Sequence, residues 1–190
     1  MDRQRRFWVA ASSCCSCVAA GALAVPLLGS LGPSARARAA GAPTVVRFDD
    51  LEPGQRRSLL WRGQPIWLLR RSLAMLEGLA RNESELVDPG SLREQLPTPV
   101  WARNRWRSRL PELLVLRGVC THLGCIPLLA LGTGPGLPRD WPGGFVCPCH
   151  GSRFDLAGRV YRNMPAPDNL PVPPYQLIDS GRLLLGADAS

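Results

Sequence analysis

The sequence predicts a mainly β protein, with one transmembrane helix at the amino terminus followed by an antiparallel β-sandwich. Three observations carry this. Phe7 to Ala35 is a run of 29 residues without a charge, longer than the roughly 20 needed to cross a hydrocarbon core. The rest is broken into short apolar runs by 19 Pro and 19 Gly, the pattern of short strands between turns. Both histidines and four of the seven cysteines fall in two short blocks, Cys120–Cys125 and Cys147–Ser152, which marks a small site-bearing subdomain at about residues 117–167.

Charge placement orients the amino terminus. Arg3, Arg5 and Arg6 precede the apolar run, and Arg36 and Arg38 follow it. The leading arginines put the N-terminus in the cytoplasm by the positive-inside rule. Arg5-Arg6-Phe7 also resembles a twin-arginine export signal. A cleaved signal with a small-residue site near Ala35–Ala40 is the competing reading. The uncharged run exceeds a usual h-region of about 7–15 residues, so residues 1–33 are expected to stay as an anchor. Cys14, Cys15 and Cys17 lie inside it and read as small side chains compatible with lipid. Residues 34–43, SARARAAGAP, have no bulky apolar group and read as a linker.

Residues 44–190 are of a size for one domain. Strands are expected at Val45–Phe48, Ser58–Trp61, Pro65–Arg70, Leu113–Arg117, Phe145–Val146, Val160–Tyr161, Tyr175–Asp179 and Leu183–Gly186. Leu73, Leu76, Leu79 and Ala80 recur near helical spacing, predicting a short helix over about Arg71–Arg81. The Gly- and Pro-rich stretch Ile126–Gly144 is expected to be an irregular surface loop pinned at both ends. The formal charge is +8, from 23 Arg and no Lys against 15 acidic residues. The arginines are scattered. The Trp/Arg stretch Arg103–Arg109 imitates a nucleic-acid patch but is expected to be a solvated loop or subunit contact, with no nucleic-acid partner.

The two blocks carry the chemistry. Each supplies one Cys and one His, Cys120-x-His122 and Cys147-x-x-His150, with one further cysteine, Cys125 and Cys149. Two thiolates and two imidazoles can hold a 2Fe–2S cluster with both histidines on one iron. Neutral imidazoles make that cluster less negative, raising its potential to roughly −150 to +300 mV from about −400 mV for all-cysteine plant-type clusters. A second ring nitrogen on each histidine can carry a proton, so the site suits oxidation of a quinol. Structural zinc is the main competitor, but zinc sites usually pair Cys with Cys and His with His, and zinc leaves two cysteines unexplained. A thioredoxin-like role for Cys147-Pro148-Cys149 fails, because that motif has two intervening residues.

CTHLGC and CPCHGS resemble the blocks of Rieske iron–sulfur proteins, in the high-potential form found in quinol–cytochrome c reductases. Gly151–Val160 and Pro165–Tyr175 resemble the segments that follow in that family. The resemblance implies that Cys120, His122, Cys147 and His150 ligate one 2Fe–2S cluster, that Cys125 and Cys149 form a disulfide, and that Pro165-Ala166-Pro167 covers the cluster. Ser152 is the expected hydroxyl donor to a bridging sulfide. Many members have Tyr two residues after that Ser, whose hydroxyl donates to a ligand sulfur; here the position is Phe154, which predicts a lower potential.

The resemblance further implies a subunit of a dimeric membrane complex. Quinol bound in a cytochrome b subunit would give one electron to the cluster, and the head would swing on the 34–43 hinge to a c-type cytochrome subunit. His150 is expected to contact quinol and take its proton, with His122 the other exposed ligand and Leu123 part of an apolar docking tip. A disulfide requires an oxidising compartment, so the head is expected in the periplasm and the anchor in the bacterial plasma membrane. The alternative is the small Rieske subunit of a periplasmic oxidase such as arsenite oxidase, which would be soluble after signal cleavage.

Overall fold

The computed structural model describes residues 2–35, 39 and 41–187. The chain forms two units, Met1–Ala40 and Gly41–Ser190. In the first, α1 spans Arg3–Ser30, 28 residues with none buried. At 1.5 Å per residue it is roughly 42 Å long, more than the hydrocarbon thickness of about 30 Å. Its most apolar window has a mean hydropathy of 1.8. The Ser12 and Ser30 hydroxyls donate to Trp8 O at 2.8 Å and Leu27 O at 2.7 Å, which satisfies these two polar groups within an apolar helix. Pro26 lies inside the helix. Of the expected linker, residues 36–38 and 40 lie outside the described residues.

The second unit is built from β1 Thr44–Arg47, β2 Arg56–Trp61, β3 Gln64–Arg70, β4 Leu113–Arg117, β5 Leu128–Ala130, β6 Gly144–Val146, β7 Arg153–Phe154, β8 Tyr175–Leu177 and β9 Arg182–Leu185, with an α-helix, α2, at Leu73–Arg81 and short 3-10 turns at Glu83–Glu85 and Val100–Ala102. The strands form three antiparallel sheets in the orders β1-β9-β8, β2-β3-β4 and β5-β6-β7. Central strand β3 buries Ile66, Trp67, Leu68 and Leu69 on both faces. Its register sets Ile66 opposite Arg117 and Leu69 opposite Leu114. One core runs from Leu183 and Leu185 of β9 through β3 and β4 to Phe145, Cys120 and Cys147. Trp67 stacks on Phe145 at 5.1 Å, and a side chain at Gly118 would collide with the Trp67 ring. Glycine is therefore required where β4 hands over to the first cysteine block.

Most expected strands are present within a residue or two, and the departures have local causes. Val160–Tyr161 makes only isolated bridges, to Phe154 and Leu86. The Val160 N–H is taken by the Asn169 side chain at 2.9 Å, while Tyr161 N–H to Arg153 O at 3.1 Å and Asp155 N–H to Arg159 O at 2.9 Å make the bridge to Phe154. The 126–144 stretch is not wholly irregular, because β5 pairs Leu128 with Val146 and Leu129 with Phe145. Helix α2 begins two residues after Arg71. Ser72 is its N-cap, accepting from Met75 N–H, while Arg71 N–H bonds Glu112 O at 2.7 Å and so extends the β3–β4 ladder.

The Arg103–Arg109 stretch is not a solvated loop throughout. Arg107 is 1% exposed and donates to Ala157 O at 3.0 Å and Thr98 Oγ1 at 3.3 Å. Arg109 lies over the Trp101 ring and donates from Nε to Tyr175 O. Arg71, also buried, donates to Pro111 O, Trp106 O, Leu156 O and Ser108 Oγ. Burial opposes a charge; carbonyl and hydroxyl oxygens offset it here, although Arg107 Nε has no hydrogen-bond partner. These arginines brace the turn after the second block from inside.

Candidate metal centre

The two blocks fold alike. Cys120 N–H donates to Cys125 O at 2.8 Å, and Gly124 N–H returns to Cys120 O at 3.0 Å. Cys147 N–H donates to Ser152 O at 2.8 Å, and Gly151 N–H returns to Cys147 O at 2.9 Å. Each loop thus closes over six residues, with a glycine in fifth place at φ +80° (Gly124) and +72° (Gly151), a conformation that suits glycine. The matching closures hold the two cysteines and two histidines on paired loops.

Cys120 and Cys147 are buried and unoxidised. Burial pushes the Cys120 thiol above its ordinary pKa; the His122 amide and the Ser152 hydroxyl, both close to its sulfur, pull it back. The His122 and His150 rings lie 4.8 Å apart in an edge-to-face arrangement. His122 Nδ1 is buried and has no hydrogen-bond partner, and such orphaned buried polar atoms call for an explanation. Two free buried thiols and, on the same paired loops, a buried imidazole nitrogen without a hydrogen-bond partner suit a mixed Cys/His cluster.

Cys125 and Cys149 form a disulfide across 24 residues, with Cα atoms 6.6 Å apart. Their sulfurs cluster with that of Cys147, but a disulfide sulfur is not a thiolate donor. The bridge therefore clasps the two loops and leaves Cys120 and Cys147 as the thiols free to bind metal. Leu123, at the tip of the first loop, is 71% exposed.

A third segment closes the side of the site. In Pro165-Ala166-Pro167, Ala166 is buried and its N–H donates to Ser152 Oγ at 3.0 Å. Thr121 Oγ1 donates to Asp168 O at 2.6 Å. Arg93 donates to Pro167 O at 2.7 Å. Asn169 Nδ2 bonds Asp88 O and Ser91 Oγ. Thr121, Asn169 and Arg93 were not legible as site residues. Thr121 alone carries a signal, lying between a cysteine and a histidine. Phe154 is fully buried in β7 and offers no hydroxyl.

Residues 91–175, which contain both blocks, match the family model of the Rieske [2Fe-2S] domain. The chain is 49% identical over 186 residues to the ubiquinol-cytochrome c reductase iron-sulfur subunit of Allochromatium vinosum, covering 97% of this chain and 89% of that protein. The subunit of the same name from Cereibacter sphaeroides is 38% identical over 186 residues, covering 96% and 95%. Among solved structures, a hyperthermophilic respiratory Complex III chain aligns at 25% identity and a TM-score of 0.48, covering 92% of this chain and 97% of that one. The donor set and this kinship agree on the cofactor, one Rieske-type 2Fe–2S cluster. By likeness along nearly its whole length, the chain belongs to the Rieske iron–sulfur subunits of ubiquinol–cytochrome c reductases.

Proposed function

We propose that this chain is the electron-carrying subunit of a quinol–cytochrome c reductase in the bacterial plasma membrane, working between a cytochrome b subunit and a c-type cytochrome subunit of a dimeric complex. The supporting observation is the pairing of the two loops: each brings a buried thiol and a histidine to one place, and a disulfide clasps them. When bound, the cluster supplies one-electron chemistry at a potential matched to quinol. Cys120, His122, Cys147 and His150 would hold the cluster. The Ser152 hydroxyl would donate to it.

His122 turns its buried Nδ1 inward. That leaves Nε2 as the nitrogen able to hold a proton. His150, exposed at the surface, is the residue that meets quinol and takes its proton on the ring nitrogen not bound to iron. Exposed Leu123 supplies apolar contact with the quinol-binding subunit. Residues 1–33 anchor the chain with the N-terminus in the cytoplasm, residues 34–43 tether it, and residues 44–190 work in the periplasm, where the disulfide persists.

The test is quinol-dependent cytochrome c reduction by membranes carrying the intact chain, His150→Ala or Cys147→Ser. Both variants should lose the activity and the iron–sulfur spectrum while the chain stays in the membrane. Full activity in either would overturn the ligand assignment. Wild-type membranes without quinol-dependent activity would overturn the function.

A further inference from the structure

The Pro165–Pro167 segment belongs to no helix or strand, and its two prolines have no N–H to give. It is held by few bonds. Two run to the loops that carry the candidate ligands: the Ala166 amide donates to Ser152 Oγ at 3.0 Å, and Thr121 Oγ1 donates to Asp168 O at 2.6 Å. Two more come from the opposite side, and a single atom makes both. Arg93 Nη1 donates to Pro167 O at 2.7 Å and to Asp168 Oδ1 at 3.2 Å.

The arm that presents Arg93 is itself built. The Asp88 carboxylate accepts the Leu92 and Arg93 amides at 3.0 and 3.1 Å, and Ser91 N–H bonds Asp88 O at 3.2 Å. Ser91 has a φ of +55°, a conformation that costs a residue other than glycine. The same serine is buried, and its Oγ accepts from Asn169 Nδ2 at 3.1 Å. Asn169 Nδ2 also donates to Asp88 O at 2.9 Å. Asn169 stands two residues after Pro167, so it ties the arm to the end of the segment that Arg93 grips. A surface ion pair left to itself contributes little. Here the arginine backbone is fixed by the Asp88 carboxylate, and the side chain spans to a carbonyl 74 residues away.

We propose that Arg93 is a positioning residue for the iron–sulfur site: it holds the Pro165–Pro167 segment in place and, through the Ala166–Ser152 bond, fixes the hydroxyl that tunes the reduction potential. This rests on the ligand set and the Ser152 hydrogen bond proposed above. The line of contacts is short. Arg93 bonds Pro167 O, and the amide of the preceding residue, Ala166, bonds Ser152 Oγ. Ser152 O accepts from Cys147 N–H at 2.8 Å and so closes the second loop. Without the two Arg93 bonds the segment loosens, the Ser152 hydroxyl is less well oriented, and its hydrogen bond to the cluster weakens. The reduced, more negative state loses most, so the potential falls.

The experiment uses membranes carrying the full chain, as wild type, Arg93→Gln, Ser152→Ala and the two substitutions combined. Two quantities are read: hydrogen exchange in peptides covering residues 165–169, and the reduction potential by titration of the EPR signal. Arg93→Gln should raise exchange at 165–169 and lower the potential. The drop should persist in about 1 M salt, where charges are screened within about 3 Å. In the Ser152→Ala background Arg93→Gln should cause little or none of that drop, the non-additivity expected of a residue that acts through another. Unchanged exchange would overturn the grip on the segment. An unchanged potential, a drop that high salt abolishes, or a drop that adds in full to that of Ser152→Ala would overturn the positioning role. An unaltered chain with no 2Fe–2S signal would instead overturn the ligand reading on which the tuning rests, and the exchange result would still decide whether Arg93 holds the segment.

Discussion

Ser152 and Ala166 are joined by a hydrogen bond of 3.0 Å, the Ala166 amide donating to the Ser152 hydroxyl oxygen. Both residues are buried. With its oxygen occupied by that amide, the hydroxyl is left to donate elsewhere, and beside the Cys120 thiol it offsets a small part of the upward push of burial on that thiol's pKa. On the ligand assignment proposed above, the Pro165–Pro167 segment would orient that hydroxyl as a donor to the cluster. Ser152→Ala should lower the reduction potential, because hydrogen bonds to cluster sulfurs stabilise the reduced state. It also orphans a buried amide, costing about 1–3 kcal/mol. Redox titration and denaturant unfolding check the two parts. An unchanged potential would remove the role given to the hydroxyl.

Phe154 should repay a single added oxygen. The residue is fully buried in β7, directly after the second loop. Phe154→Tyr adds a phenolic hydroxyl which, if it donates to a ligand sulfur as the family resemblance implies, should raise the potential, measured by titrating the spectrum of wild type against variant. A potential that stays the same or falls would show that the ring at 154 does not bear on the cluster.

The Cys125–Cys149 bridge is the covalent tie between the loops. Cys125→Ser with Cys149→Ser should lower cluster occupancy, the potential, or both, because each loop is otherwise held by its own backbone bonds. Iron and sulfide content with EPR intensity reads the effect. Normal values in the double variant would mean that the remaining hydrogen bonds hold the loops unaided.

Arg159 and Asp155 form a buried ion pair at 2.7 Å, and Asp155 also accepts the Ala157 and Arg159 amides at 2.9 and 2.8 Å. Arg159→Met leaves a carboxylate buried without its cation, which should destabilise the protein by about 3–5 kcal/mol. Thermal unfolding of the detergent-solubilised chain measures this. A loss under about 1 kcal/mol would place the pair with ordinary surface bridges.

Local chemistry made much of this molecule readable. The membrane-length helix follows from the uncharged run, and β2, β3 and β4 follow from apolar runs between turn signals, because those patterns act through neighbours in sequence. The mixed Cys/His spacing pointed to the cofactor because few cofactors use that donor set. What escaped depends on distant partners. Val160 reads as a strand residue until Asn169, nine positions later, takes its N–H. β5 has too few residues to stand out within its Gly/Pro-rich surroundings, and forms because β6 offers it an edge. Arg107 reads as a surface charge, since only the fold brings the Ala157 and Gly158 carbonyls around it. Thr121 and Arg93 bond the loop at 167–168 through contacts spanning 47 and 74 residues, separations that carry no sequence pattern.

The most direct test of the account is EPR on membranes from cells expressing the chain, poised reduced and washed with salt and alkaline buffer. The predicted result is a rhombic Rieske-type signal that remains with the membranes and shifts when a quinol-site inhibitor is added. A signal recovered in the soluble fraction and indifferent to the inhibitor, or zinc in place of iron and labile sulfide, would contradict it.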